Sequence, residues 1–113
     1  VRILIADSVL ANREYLRRVC DGHFVKVVKH STDVIRLAKT ADIVFTDVWF
    51  PGWGGQEYLD KLRAKTTAII VAVTVHKNGY TGVDHIVNVP FQRGEIDEII
   101  SHADKAKRDI HAS

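Results

Sequence analysis

The sequence predicts an α/β domain built on a doubly wound parallel sheet of five strands, in the order 2-1-3-4-5, with the fourth helix short or missing. Three observations carry this. Short apolar runs alternate with stretches of helical periodicity, which argues for a parallel sheet with helices on both faces. Ala68–Thr74 is continuously apolar and rich in β-branched residues, as in a strand buried on both sides. Several runs end in polar residues: Asp7 and Ser8 after the first, Asp47 after the third, Thr74 after the fourth. In an open α/β sheet such ends share one edge, and ligands bind there.

The elements follow in order. Residues 2–6 form the first strand, and Val9 to Cys20 carries Tyr15, Leu16, Val19 and Cys20 at helical spacing until Asp21-Gly22 stops it. Phe24–Val28 is a second strand, Asp33–Lys39 a short helix, and Asp42–Thr46 a third strand ending at Asp47. Pro51-Gly52-Trp53-Gly54-Gly55 reads as loop. Gln56 to Lys65 is helical, with Tyr58, Leu59 and Leu62 on one face. His85–Val89 is the fifth strand, and Glu95–Ala106 the last helix, with Ile96, Ile99 and Ile100 inward. Only residues 75–84 separate the last two strands, and Asn78-Gly79 and Gly82 are poor helix formers. A loop or a single turn is expected there.

Composition excludes several classes. A chain of 113 residues with 46% hydrophobic and 27% charged residues is an ordinary globular domain, read as one unit over 1–113. No apolar run approaches the roughly 20 residues a bilayer span needs. The net charge of +2 is near balance, and the basic end at Lys105, Lys107 and Arg108 reads as a solvated helix terminus, so no nucleic-acid partner is expected. The single cysteine, Cys20, excludes an internal disulfide; a buried inert thiol in a reducing cytoplasm fits. Starting at Val1 with no initiator Met, the chain reads as processed or cut from something longer. His23, His30, His85, His102 and His111 lack metal-ligand spacing, so a zinc site is not expected. No glycine pattern for nucleotide binding and no nucleophile elbow is present.

The converging acids set the chemistry. Two carboxylates close together favour a divalent cation or a shared proton. Oxygen-only ligation suits Mg²⁺, and an Asp beside Mg²⁺ can attack a phosphoryl group. The alternatives are plain: an Asp ending a strand is common, and a β-branched Thr in a strand needs no function.

At this point the sequence resembles the receiver domains of two-component response regulators. The motifs are Ile3-Leu4-Ile5-Ala6-Asp7, Asn12-Arg13, Asp47-Val48-Trp49-Phe50-Pro51 followed by Gly55, Val73-Thr74, and Pro90-Phe91 followed by Glu95-Ile96. The resemblance implies a flavodoxin-like fold. It also implies a phosphoacceptor at Asp47, a switch hydroxyl at Thr74, and Mg²⁺ held by Asp7, Asp47 and the carbonyl of Trp49. A cis bond is expected at Val89-Pro90.

Three positions depart from the pattern. Ser8 stands where the family has a second acid, Val89 where it has a lysine, and Ile86 where it has an aromatic switch residue. Lys77 and His76 are candidate replacements for the lysine, though both also read as solvated loop residues. Trp49, Phe50 and Trp53 crowd one loop, as in a partner-binding patch, and could equally cap the site.

The expectation is a divergent receiver, not an enzyme, with weak Mg²⁺ binding at most. Its partner would be a histidine kinase or a downstream signalling protein. Oligomeric state is left open. The first alternative is a working receiver phosphorylated on Asp47 with Mg²⁺. The second is a small flavodoxin-like cofactor-binding or enzyme domain. For that, Asp7-Ser8-Val9-Leu10-Ala11-Asn12 offers one hydroxyl and an acid that repels phosphate.

Overall fold

The computed structural model describes residues 1–50, 53–75, 79–92 and 94–112. Five strands form one sheet: β1 (Arg2–Ala6), β2 (Phe24–Val28), β3 (Ile43–Asp47), β4 (Ile69–Thr74) and β5 (His85–Asn88). Their order is β2-β1-β3-β4-β5, and every neighbouring pair is parallel. The helices are α1 (Leu10–Val19), α2 (Ser31–Leu37), α3 (Gly55–Lys65) and α4 (Glu95–Ala112); α2 tightens into a 3₁₀ turn over Ala38–Thr40.

Strand alternation splits the core into two layers. Ile3, Ile5, Ile43, Phe45, Val71 and Val73 pack with Leu16 of α1 and with Ile96, Ile99 and Ile100 of α4. Leu4, Val44, Ile70 and Ala72 face the other way and pack with Val34 of α2 and with Tyr58, Leu59 and Leu62 of α3. Cys20 is buried in the first layer, and burial pushes its thiol up to about 12. No described helix is long and apolar enough to cross a membrane.

Between β4 and β5 the described residues, 75 and 79–84, form no helix. Gly79 and Gly82 take φ of +102° and +77°, values that L side chains avoid and a helix excludes. The second layer still needs a cover, and Tyr80 and Val83 supply it together with Ile86. Two side chains of α3 fasten this connection. Gln56 Nε2 donates to the Thr81 carbonyl at 2.8 Å, and Gln56 Oε1 accepts from the Thr81 N–H at 2.8 Å. Arg63 donates to Asp84 Oδ2 at 3.0 Å. Asp84 then joins β4 twice: its N–H donates to the Ile70 carbonyl at 2.9 Å, and its carboxylate accepts from the Ile70 N–H at 2.8 Å.

Other elements differ from expectation. α2 starts at Ser31 rather than Asp33, because the His30 ring accepts from the Thr32 N–H and caps the helix early. α4 continues past Ala106 to Ala112. Within that extension Lys107 is not simply solvated: it donates to Asp42 at 2.9 Å, on the oxygen that also accepts from the Arg2 N–H. The Pro51–Gly55 stretch is not all loop, since Trp53–Gly54 pairs antiparallel with Trp49–Phe50 and Gly55 opens α3. The Val89–Pro90 bond is cis.

The Asp84 clamp yields a stability prediction. Asp84→Ala leaves the Ile70 N–H without that acceptor and Arg63 without its carboxylate. The expected loss is about 1–2 kcal/mol, read as a lower urea midpoint at unchanged m value. An unchanged midpoint would show that this connection does not depend on the clamp.

Candidate functional site

The register of the sheet builds the site. Ala6 lies opposite Thr46, and Asp47 lies opposite Val73. Asp7, Asp47 and Thr74 therefore come together at the carboxyl edge of three adjacent strands.

Asp7 is buried. Its Oδ1 accepts from the Val9 N–H at 2.8 Å, just ahead of α1. Asn12 Nδ2 lies 3.3 Å from Oδ2 and 3.5 Å from Oδ1. Arg13, one residue on, donates to the carbonyls of Asp7 at 3.1 Å and Ser8 at 3.4 Å. α1 thus returns two side chains to the loop that launches it.

Asp47 is half-buried. Its Oδ2 accepts from the Ser8 hydroxyl at 3.0 Å. Beneath it, Thr46 Oγ1 donates to the Asp47 carbonyl at 2.9 Å and lies 2.7 Å from the Tyr58 hydroxyl on α3. The Tyr58 phenol is pushed up to about 12, by burial first, with the Asp47 charge also raising it.

Past Asp47 the chain turns tightly. The Gly55 N–H donates to the Val48 carbonyl at 2.8 Å. A Cβ on Gly54 would sit 2.8 Å from that same carbonyl oxygen and 2.9 Å from Trp49 Cα, so only glycine fits. The Trp49 indole lies against Gly54 and Gly55, and most of its surface stays exposed.

Thr74 ends β4 and is buried. Its carbonyl accepts from the Val89 N–H and from Asn88 Nδ2, both at 3.2 Å. Val89 is half-buried and packs with Phe91 against the layer holding Ile96; Phe91 stacks on Tyr15 at a 4.7 Å ring separation. Ile86 packs against the opposite layer.

Asp7, Ser8, Asp47 and Thr74 are thus brought to one edge, while Val89 and Ile86 are spent on packing. His76, Lys77 and Pro51-Gly52 lie outside the described residues, as do the side chains of Phe50, Trp53 and His111. Sequence reasoning missed the Thr46–Tyr58 hydroxyl pair. A threonine in an otherwise apolar strand was the available signal, because a buried hydroxyl requires a partner.

Electrostatics follow from this geometry. Burial raises the Asp7 carboxyl, against the lowering from its Val9 hydrogen bond, and the Asp47 charge raises it further. Burial likewise raises Asp47, against the lowering by Ser8. No ion pair to either acid exists among the described residues. The pair suits an external cation or a retained proton. As a Mg²⁺ site the donor set fits only weakly. It has two carboxylates, and hydrogen bonds from Ser8, Val9 and Asn12 already reach Asp47 Oδ2 and both Asp7 oxygens.

The architecture is that of response-regulator receiver domains. It is similar to a CheY-like response regulator receiver domain from Methylobacillus flagellatus, with a TM-score of 0.77 and 23% identity over 90% of this chain and 97% of that one. It is similar to the signal receiver domain of an HD domain-containing protein from Pseudomonas fluorescens Pf-5, with a TM-score of 0.82 and 13% identity over 98% and 91%. A two-component response regulator from Clostridium difficile superposes with a TM-score of 0.81 and 18% identity over 93% and 96%. No family model and no curated protein matches the sequence. At these identities the likeness is one of fold: the chain has the flavodoxin-like receiver fold.

The raised Asp47 carboxyl makes that group's contribution to stability fall with rising pH. The unfolded chain ionises near the ordinary value of 3.8, and the folded chain holds its proton to higher pH. At this site the folded state therefore binds more protons across that window, and the Asp47 contribution is lost as pH climbs through it. Asp47→Asn removes the cost, and its amide oxygen can still accept from Ser8. The variant is expected to melt a few degrees above the parent at pH 7, with the gap shrinking as pH falls toward 3.8. A gap that is absent at pH 7, or that widens in acid, would contradict this.

Proposed function

We propose that this chain is a divergent receiver domain. It passes a signal by protein–protein contact, and its phosphoryl chemistry is weakened or absent. The observation that carries the reading is the Ser8–Asp47 hydrogen bond. A neutral hydroxyl occupies an oxygen of the one carboxylate placed to accept a phosphoryl group. It stands where the resemblance calls for a second acid. The packing of Val89 supports the same reading, since an apolar side chain cannot neutralise phosphoryl charge.

Asp7, Asp47 and the Trp49 carbonyl are the groups that would hold Mg²⁺, weakly. The cation would supply charge neutralisation at Asp47. The domain acts as a signalling module and not as an enzyme, in the cytoplasm. Its partner is a histidine kinase or a downstream signalling protein, met through the loop of Trp49, Phe50 and Trp53. The working-receiver alternative keeps one specific support: Asp7, Asp47 and Thr74 end three adjacent strands at one edge. The cofactor-binding alternative is disfavoured because the Asp7 carboxylate takes the Val9 N–H ahead of α1, where a phosphate would need donors.

The test is an amide NMR titration with Mg²⁺ and then with Mg²⁺ plus beryllofluoride, a phosphoryl mimic. The parent is expected to show no saturable shifts at Asp47 or Thr74 at millimolar Mg²⁺. The double variant Ser8→Asp, Val89→Lys is expected to gain them, because it restores an acid and a cation. Saturable shifts in the parent overturn the divergent reading in favour of the working receiver.

A further inference from the structure

Large apolar side chains are exposed unevenly. Among the described residues, Val9 is 49% exposed, Leu10 61%, Trp49 70%, Val75 69% and Phe24 79%. Phe24 begins β2, at the amino edge of the sheet. The other four all follow strand ends at the carboxyl edge. Val9 and Leu10 come after β1, Trp49 comes two residues after Asp47 on β3, and Val75 directly follows β4. These three strands are neighbours, so the four residues share the sheet edge that carries the acid pair. Exposed apolar groups gathered in this way mark an interaction surface, and tryptophan is enriched where such surfaces bind hardest.

Two acids lie at this edge, and among the described residues Arg13 is the cation whose charge reaches Asp7. Asp47 is half-buried and reachable, and Asp7 lies close enough to feel its charge. No lysine or arginine pairs with either among the described residues. Arg13, the nearby cation, is engaged by backbone carbonyls. The chain as a whole is slightly positive at +2, so it has no general attraction for cations. A basic group that binds here must read the local acids.

We propose that this edge is a docking surface for a partner protein presenting a lysine or arginine flanked by apolar side chains. The cation seats at Asp47, with Asp7 adding its charge, and the apolar flanks cover Val9, Leu10, Trp49 and Val75. A free metal ion or a small cation would leave those four residues in water, which is why the occupant is a protein segment. The inference rests on the reading that the site takes no phosphoryl group, and it names the partner chemistry for that same site.

The probe is a soluble amphipathic peptide with one lysine among leucines on its apolar face, titrated without Mg²⁺ and followed by amide NMR and tryptophan fluorescence. Saturable shifts are expected at Val9, Leu10, Trp49 and Val75. Replacing the peptide lysine by norleucine, or making Asp47→Asn, is expected to weaken binding about tenfold or more. Val75→Ser is expected to weaken it as well, and Phe24→Ser to leave it unchanged. Equal affinity for the norleucine peptide, indifference to Asp47→Asn, shifts centred on Phe24, or no saturation each overturn the docking proposal. Mg²⁺ plus beryllofluoride is run on parallel samples of the same protein without peptide. A parent site that binds beryllofluoride overturns the proposed function, whereas one that binds neither beryllofluoride nor peptide overturns the docking alone.

Discussion

A carboxylate buried in a protein costs free energy unless donors surround it. Asp7 is the most buried ionisable group at the carboxyl edge, and its donors come from one place: the start of α1. That requirement fixes the β1–α1 connection. Val9 must turn its N–H back toward the carboxylate, Asn12 must lie one helical turn in, and Arg13 must hold the two carbonyls beside it. Because β3 is the inner neighbour of β1, the same edge then receives Asp47 at hydrogen-bond distance from Ser8. The site is therefore a consequence of how β1 ends.

The second constraint is the passage from β4 to β5, whose described residues form no helix. A crossover between parallel strands normally carries a helix that covers the sheet. Here the cover is thinner, and α3 compensates by reaching across with Gln56 and Arg63. The same helix places Tyr58 beneath Asp47 through Thr46. One helix thus supports both the floor of the site and the segment beside it. Val75, which opens that segment, is exposed.

The strands were legible because each is a short apolar run closed by a polar residue, and the sheet order follows from the alternation of elements. That the described residues between β4 and β5 form no helix was legible from ten intervening residues and two glycines, which the structure sets at positive φ. The ribbon of Trp49–Phe50 and Trp53–Gly54 was not, because Pro and Gly signal a loop whether or not two short arms pair across it. The length of α4 was not, because residues beyond Ala106 are mostly polar and carry little apolar periodicity. At the site, the three strand ends could be placed from sequence, since topology alone sets them. The Ser8–Asp47 contact, the Thr46–Tyr58 pair and the Asp84 clamp depend on side chains far apart in the chain, and no local pattern encodes them.

Ser8 and Val89 make most sense considered together. Against the pattern the sequence resembles, one position has lost an acid and the other a cation, so the net charge of the edge is unchanged while the number of ions to be desolvated is smaller. Asp7 and Asp47 both lie at this edge although burial raises each carboxyl, so holding them ionised costs stability at neutral pH. Exposed apolar residues share the same edge. A basic, apolar partner of the kind proposed would offset the first cost by pairing with the acids and would take the second group out of water. The two features are thus complementary to one kind of occupant.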